Sequence, residues 1–195
     1  MILSPIRILE GSARGRRLFS VRGYQVRPAL ARVRGSVFNI LRGRFDGAPV
    51  ADLYAGTGSV GFEALSRGAS LCCFVERSRE LLEVLRANAE KLDLAARTRV
   101  LAGEVLGSAG GLPAGCACVF ADPPYALWDD ERERAELAAF LGALPGRGIL
   151  AADGRVVVEH RKGDLPDGPL AGLALADRRG YGQTEVSFYA AEAPA

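Results

Sequence analysis

From residue 50 onward, short apolar runs alternate with amphipathic stretches. Apolar runs at 50–54, 71–75, 98–102, 117–121 and 155–159 have the length and β-branched content of buried strands. Between them, helical spacing predicts helices over about 59–67, 78–92 and 130–142. The second helix is the clearest: Ser78 stands at a capping position, and Leu81, Leu82, Leu85, Ala89 and Leu92 form one apolar stripe. Strand–helix alternation predicts an α/β domain with a mainly parallel sheet covered on both faces. The tail breaks the alternation. Segments 172–177 and 184–189, separated by Gly180 and Gly182, predict a terminal antiparallel hairpin. Segments 103–116 and 161–171, rich in Gly and Pro, predict loops.

The first 44 residues follow another pattern. Ile6-Arg7-Ile8-Leu9, Arg17-Leu18-Phe19-Ser20-Val21 and Tyr24-Gln25-Val26-Arg27 predict short strands or a hairpin. Pro28 then opens a helix with Leu30, Val33, Val37, Ile40 and Leu41 on one face and Arg32, Ser36, Asn39 and Arg42 on the other. The expected organisation is a basic extension over 1–44 followed by one larger domain over 45–195.

Charge sharpens that division. Residues 1–44 hold ten arginines against one acid, Glu10, in a chain whose formal net charge is only +2. A segment so depleted of acids is suited to a polyanion. No apolar run reaches the roughly 18 residues of a membrane span, and Met1–Arg7 lacks the pattern of a signal peptide, so a cytoplasmic location is expected. The four cysteines, Cys72, Cys73, Cys116 and Cys118, lie in strand-like runs without C-x-x-C spacing. They are read as small buried hydrophobes rather than metal ligands or disulfides.

Two segments carry chemistry. The first, Val50-Ala51-Asp52-Leu53-Tyr54-Ala55-Gly56-Thr57-Gly58-Ser59-Val60-Gly61, reads as a strand running through a glycine turn into a helix. It also satisfies G-x-G-x-x-G, and Glu76 ends the next strand, as in dinucleotide-binding folds. Asp52 separates the readings. A carboxylate just before the turn is a poor neighbour for pyrophosphate and a good one for a sulfonium or an amino-acid head. S-adenosylmethionine (SAM) carries both and no phosphate. Glu76 suits the ribose hydroxyls of any adenosine. Glu104, after the third strand, is placed to accept from the adenine amino group.

The second segment is Val119-Phe120-Ala121-Asp122-Pro123-Pro124-Tyr125. The lone pair of an exocyclic amino nitrogen is delocalised into its ring. Accepting both N–H bonds turns that pair toward an electrophile and stabilises the charge that develops. Asp122 supplies one acceptor and the Pro123 carbonyl the other. Prolines stiffen the turn, and Tyr125 offers a ring for stacking on a flat base.

These residues make the chain resemble the RsmD family of bacterial 16S ribosomal RNA guanine-N2 methyltransferases. The resemblance runs from about Arg7 to Tyr189. It includes Ile6-Arg7-Ile8-Leu9-Glu10-Gly11, Arg27-Pro28, Arg32-Val33-Arg34, Phe38-Asn39-Ile40-Leu41, Glu63-Ala64-Leu65-Ser66-Arg67-Gly68-Ala69 and Tyr181-Gly182-Gln183-Thr184. It implies a class I SAM-dependent methyltransferase fold: Rossmann-like, a mostly parallel seven-stranded sheet with helices on both faces and a C-terminal antiparallel hairpin. It assigns Asp52, Gly56, Gly58, Glu76 and Glu104 to SAM, with Tyr54, Ala55, Thr57, Arg77 and Val105 beside them. It gives Asp122, Pro123, Pro124 and Tyr125 to the target base. It implies 16S rRNA or an assembling small ribosomal subunit as partner. Arg27, Arg32, Arg34 and Asn39, which flank the helix of the matched N-terminal signature, are the expected RNA contacts; the amino-group chemistry needs no metal, and a monomer is expected. Where the family usually carries Thr, an acid and Glu at one helix start, this chain has Ala29, Ala31 and Gly35.

Other classes fit less well. An oxidoreductase conflicts with Asp52 and lacks a plausible hydride-relay histidine; His160, the only histidine, is expected at the surface end of a strand. A non-catalytic RNA-binding module leaves Asp122–Tyr125 unexplained. Methylation of another RNA or DNA base is the nearest rival.

Overall fold

The computed structural model describes residues 1–21, 28–165 and 167–192. The elements run in the order β1 (Ile2–Arg7), β2 (Arg17–Ser20), α1 (Pro28–Ile40), β3 (Pro49–Leu53), α2 (Ser59–Ser66), β4 (Leu71–Glu76), α3 (Arg79–Lys91), β5 (Thr98–Ala102), β6 (Cys116–Ala121), α4 (Tyr125–Asp129), α5 (Glu131–Gly142), β7 (Leu150–Arg161), β8 (Leu173–Tyr181) and β9 (Thr184–Ala191). Strands β3 to β9 form one seven-stranded sheet of order β5-β4-β3-β6-β7-β9-β8, and β1 pairs with β2 in a separate antiparallel ribbon.

The strands from β5 to β7 are parallel to their neighbours. The tail adds β9 antiparallel to β7, and β8 antiparallel to β9. Connections from β3 run outward to β4 and β5; the chain then returns to place β6 on the other side of β3. This reversal makes a switch point between β3 and β6, where a crevice opens beyond the strand carboxyl ends. Leu53 pairs with Ala121 there, so the glycine turn and the Asp122 segment leave the sheet side by side.

Period-two alternation divides the core. Val50, Cys72, Phe74, Cys118, Phe120, Val157 and Phe188 face one layer with Phe38, Phe62, Leu65 and Leu85. Ala51, Leu53, Cys73, Val119, Val156, Val158 and Tyr189 face the other with Trp128, Leu137 and Leu141. All four cysteines are buried and free, as expected of apolar fillers, and burial pushes their thiols up. Ile6, Ile8 and Leu18 of the N-terminal segment lie in the first cluster, with Val33 and Phe38 of α1.

Three local expectations needed revision. Strand β7 begins at Leu150 rather than 155, with a register shift between Cys116 and Cys118 that accommodates Asp153 and Gly154. Residues 125–129 form a short helix of their own before Asp130 caps α5 through the backbone N–H groups of Arg132 and Glu133. His160 is not a surface residue. It is fully buried on the second face, beside Trp128. Its Nδ1 lies 2.8 Å from the Arg161 carbonyl, which can only accept, so Nδ1 carries the proton and Nε2 accepts from Ser187 Oγ at 2.8 Å. Burial lowers its pKa and favours the neutral ring.

Candidate active site

The glycine turn is held from several sides. Tyr54, the first residue beyond β3, has φ 62°, a conformation that a bulky side chain adopts only under constraint. Gly58 follows at φ 83°, and a Cβ there would sit 2.4 Å from the Phe62 ring. At Gly61 a Cβ would reach Phe74 at 2.3 Å, so this glycine sets how closely α2 approaches β4.

Asp52 is buried beneath the turn and accepts from the Gly61 backbone N–H at 2.8 Å. The carboxylate therefore occupies one of the N–H groups that a bound anion would otherwise use at the start of α2. Burial raises its pKa to about 8, against the Gly61 bond that lowers it, with Asp122 and Glu76 raising it further. Glu76 accepts from Gly56 N at 2.8 Å through one oxygen, and from Arg77 N and Ser78 N at 2.9 and 2.8 Å through the other. It thus ties the glycine turn to the entrance of α3. Arg77 and Glu104, both exposed, form an ion pair of 3.1 Å beside it. Ala55 and Thr57 are buried within the turn, and Val105 is buried under Glu104.

Two cavities flank this framework. One is lined by Gly56, Glu76, Arg77, Ser78, Leu81, Glu104 and Val105, together with Tyr54, Asp122 and Pro124. The other, of about 380 Å³, lies between the sheet and the N-terminal segment. Asp52, Thr57, Phe120, Val157 and Glu159 line it from the sheet side, and Ile6, Val33, Arg34 and Phe38 from the other. Tyr54 and Asp122 line both, so the two spaces meet at these side chains. Asp122 is exposed at the carboxyl end of β6, Pro123 is buried beneath it and Pro124 is exposed. The Tyr125 ring is half-buried, with the Arg161 guanidinium 5.9 Å from its centre. The structure thus brings Tyr54, Gly56, Glu76, Arg77, Glu104, Val105, Asp122 and Pro124 around one crevice, with Asp52, Ala55 and Thr57 lining the adjoining space; Gly58, Pro123 and Tyr125 line neither.

The residues expected to touch RNA are dispersed. Arg32 and Asn39 are exposed on α1. Arg27 lies outside the described residues. Arg34 is not at the surface with them: its side chain is 7% exposed, donates to the Arg7 carbonyl at 2.6 Å, lies 3.9 Å from Glu63 and lines the larger cavity. It is a buried cation that cannot reach a phosphate on the surface without leaving its partners.

Pattern reading missed three residues. Glu63 is fully buried on α2 and accepts from the backbone N–H groups of Leu9 and Glu10 at 2.7 and 3.1 Å, and from Arg67 at 2.8 Å. Asn88, also fully buried, binds both backbone groups of Phe19 and the Thr57 carbonyl. An acid or amide on the apolar side of a helix is a visible signal, but its partners are not. The third, Glu159, lines the larger cavity.

A seven-stranded sheet of this order, with a glycine turn and a prolyl segment meeting at its switch point, defines a class I methyltransferase. The chain belongs to the RsmD family: residues 6–190 match the family model described as "Conserved hypothetical protein 95". It is 34% identical over 188 residues to Bacillus subtilis YlbH, covering 94% of this chain and 98% of that one. It is 31% identical over 189 residues to the Escherichia coli protein named ribosomal RNA small subunit methyltransferase D, covering 96% and 91%. The solved structure of Escherichia coli YhhF superposes with a TM-score of 0.79 at 30% identity, covering 97% of this chain and 99% of that one.

Proposed function

We propose that this enzyme transfers a methyl group from SAM to the exocyclic N2 of a guanine in 16S ribosomal RNA of the small subunit. The observation that carries the reading is the meeting of two cavities at Tyr54 and Asp122: a crevice lined by Glu76 and Glu104 on one side, and on the other a space shared by the Asp52 turn and the ends of β6 and β7. The relatives' names and the basic N-terminal segment support RNA as the substrate.

The residues present fit SAM. Asp52, Glu76 and Glu104 surround the turn, and Asp52 holds a backbone N–H that pyrophosphate would need. Such a set favours a cationic, phosphate-free adenosine over a dinucleotide. Glu76 and Val105 would hold the adenosine, and Asp52 with the 54–58 turn the amino-acid end. When bound, SAM supplies an electrophilic methyl on a sulfonium.

The remaining work is done by the chain. Asp122 accepts one N–H of the guanine amino group, and the Pro123 carbonyl accepts the other, which frees the nitrogen lone pair for attack. The carboxylate stabilises positive charge as it builds on that nitrogen. Asp122 is exposed, so the proton shed by the nitrogen passes through it to solvent. Tyr125 stacks on the base and fixes its plane.

Incubation of the protein with methyl-labelled SAM and either naked 16S rRNA or small-subunit particles tests this reading. Label is expected in 16S rRNA from one of the two. Absence of label from both, with SAM bound, would refute it.

A further inference from the structure

We propose that Glu159 reads the Watson–Crick edge of the target guanine, accepting its N1–H while Asp122 and the Pro123 carbonyl hold N2. The inference rests on the reading of guanine N2 as the methyl acceptor and adds the residue that selects guanine.

Ala121 of β6 pairs with Val158 of β7, so Asp122 and Glu159 are the next positions on adjacent parallel strands, whose spacing is about 4.8 Å. Alternation puts Glu159 on the face of Val157, and Asp122 continues the face of Phe120; Val157 and Phe120 belong to the first core layer. Both acids line the 380 Å³ cavity, which lies at the small end of ligand-pocket volumes, ~300–1,000 Å³. Glu159 is half-buried and paired in the sheet opposite Val186, so its backbone is rigidly placed. Arg7 and Arg34 line the same cavity.

The chemistry of the two acids differs. Asp122 and the Pro123 carbonyl accept from any exocyclic amino group, so they cannot distinguish guanine from adenine. A second carboxylate beside Asp122 does. Guanine presents N1–H next to its amino group, and a carboxylate accepts that hydrogen. Adenine presents an unprotonated N1 next to its amino group, and a carboxylate there faces another acceptor. Sites built to pair with a specific donor reject analogues that lack it.

The test uses 2,6-diaminopurine, which keeps the N2 amino group but turns N1 into an acceptor. The wild-type protein first methylates 16S rRNA, and the modified position is mapped. RNA carrying guanine or 2,6-diaminopurine at that one position is then compared with wild type and Glu159→Gln. Wild type is expected to favour guanine strongly. Glu159→Gln is expected to lose ~10- to 100-fold in kcat/KM on guanine, as for removal of a hydrogen bond to a charged group. Its amide can donate to N1, so its relative rate on 2,6-diaminopurine should rise, with SAM affinity and Tm unchanged. Equal rates of wild type on the two bases, or an unchanged guanine rate in Glu159→Gln, would overturn the role of Glu159 while leaving the methyltransferase reading intact. The wild-type comparison stands even if the variant fails to fold. If wild type forms no N2-methylguanine at all, the functional reading itself fails, and the proposal falls with it.

Discussion

Asp52 on β3 and Asp122 just beyond β6 stand on adjacent paired strands and have opposite environments. Asp52 is buried with its pKa raised to about 8; Asp122 is exposed at the mouth of both cavities. A carboxyl group whose pKa rises on folding binds more protons in the folded state between its two pKa values. Stability contributed by the neutral form is therefore lost as pH rises from about 4 to about 8. Asp52→Asn keeps an oxygen for the Gly61 N–H and should flatten this part of the stability–pH curve in urea titrations. A cation bound beside Asp52 pulls its pKa down, so SAM binding at pH 7 should release a proton. Calorimetry in two buffers of different ionisation enthalpy should show that release in wild type and not in Asp52→Asn; equal release in both would remove Asp52 from the cation site. Asp122→Ala should lower the methylation rate on the order of 10²–10³-fold while SAM affinity holds. Activity within a few-fold of wild type would reassign that residue.

At the level of elements, α2 joins the glycine turn to the N-terminal segment. Its Glu63 takes two backbone N–H groups of that segment and the Arg67 guanidinium in a fully buried site. Removing one member of a buried charge network leaves the others uncompensated, which costs about 3–5 kcal/mol. Glu63→Ala should destabilise the fold by that amount in urea unfolding; a decrease below about 1 kcal/mol would show that the network is not needed. The strands and long helices were legible because their apolar periods are set by the sheet faces they cover. The glycine turn was legible because Gly58 and Gly61 stand where a Cβ would clash with Phe62 and Phe74. The partners of Glu63, Asn88 and His160 were not, because each bonds to groups far away in sequence. His160 reads locally as a strand-end polar residue, and only the packing of Ser187 and Trp128 against it explains its burial. Arg34, two residues after Arg32, reads locally as one more surface arginine for the same reason, but its partners are Glu63 and the Arg7 carbonyl.

Over the whole molecule, described arginines of the first 44 residues include both held and exposed ones. Arg34 is inside, and Arg16 is bound to Asp93 and the end of α3. Arg14, Arg17, Arg32 and Arg42 are exposed. Neutralising Arg32 and Arg42 should weaken RNA binding and flatten its log–log salt dependence, by about 0.7–0.9 for each phosphate no longer neutralised, without lowering Tm. Arg34→Gln should instead lower Tm. The reverse pattern would show that burial does not separate structural from RNA-binding arginines. The charge of the segment and the seven-stranded sheet both turn on one claim, that the switch point presents a guanine amino group of small-subunit rRNA to SAM. The most direct test is mass spectrometry of nucleosides from 16S rRNA after incubation with SAM bearing a deuterated methyl group. A deuterated N2-methylguanosine is expected, formed on the order of 10²–10³-fold more slowly by Asp122→Ala. Label in another nucleoside, or labelling by Asp122→Ala at a rate within a few-fold of wild type, would contradict it.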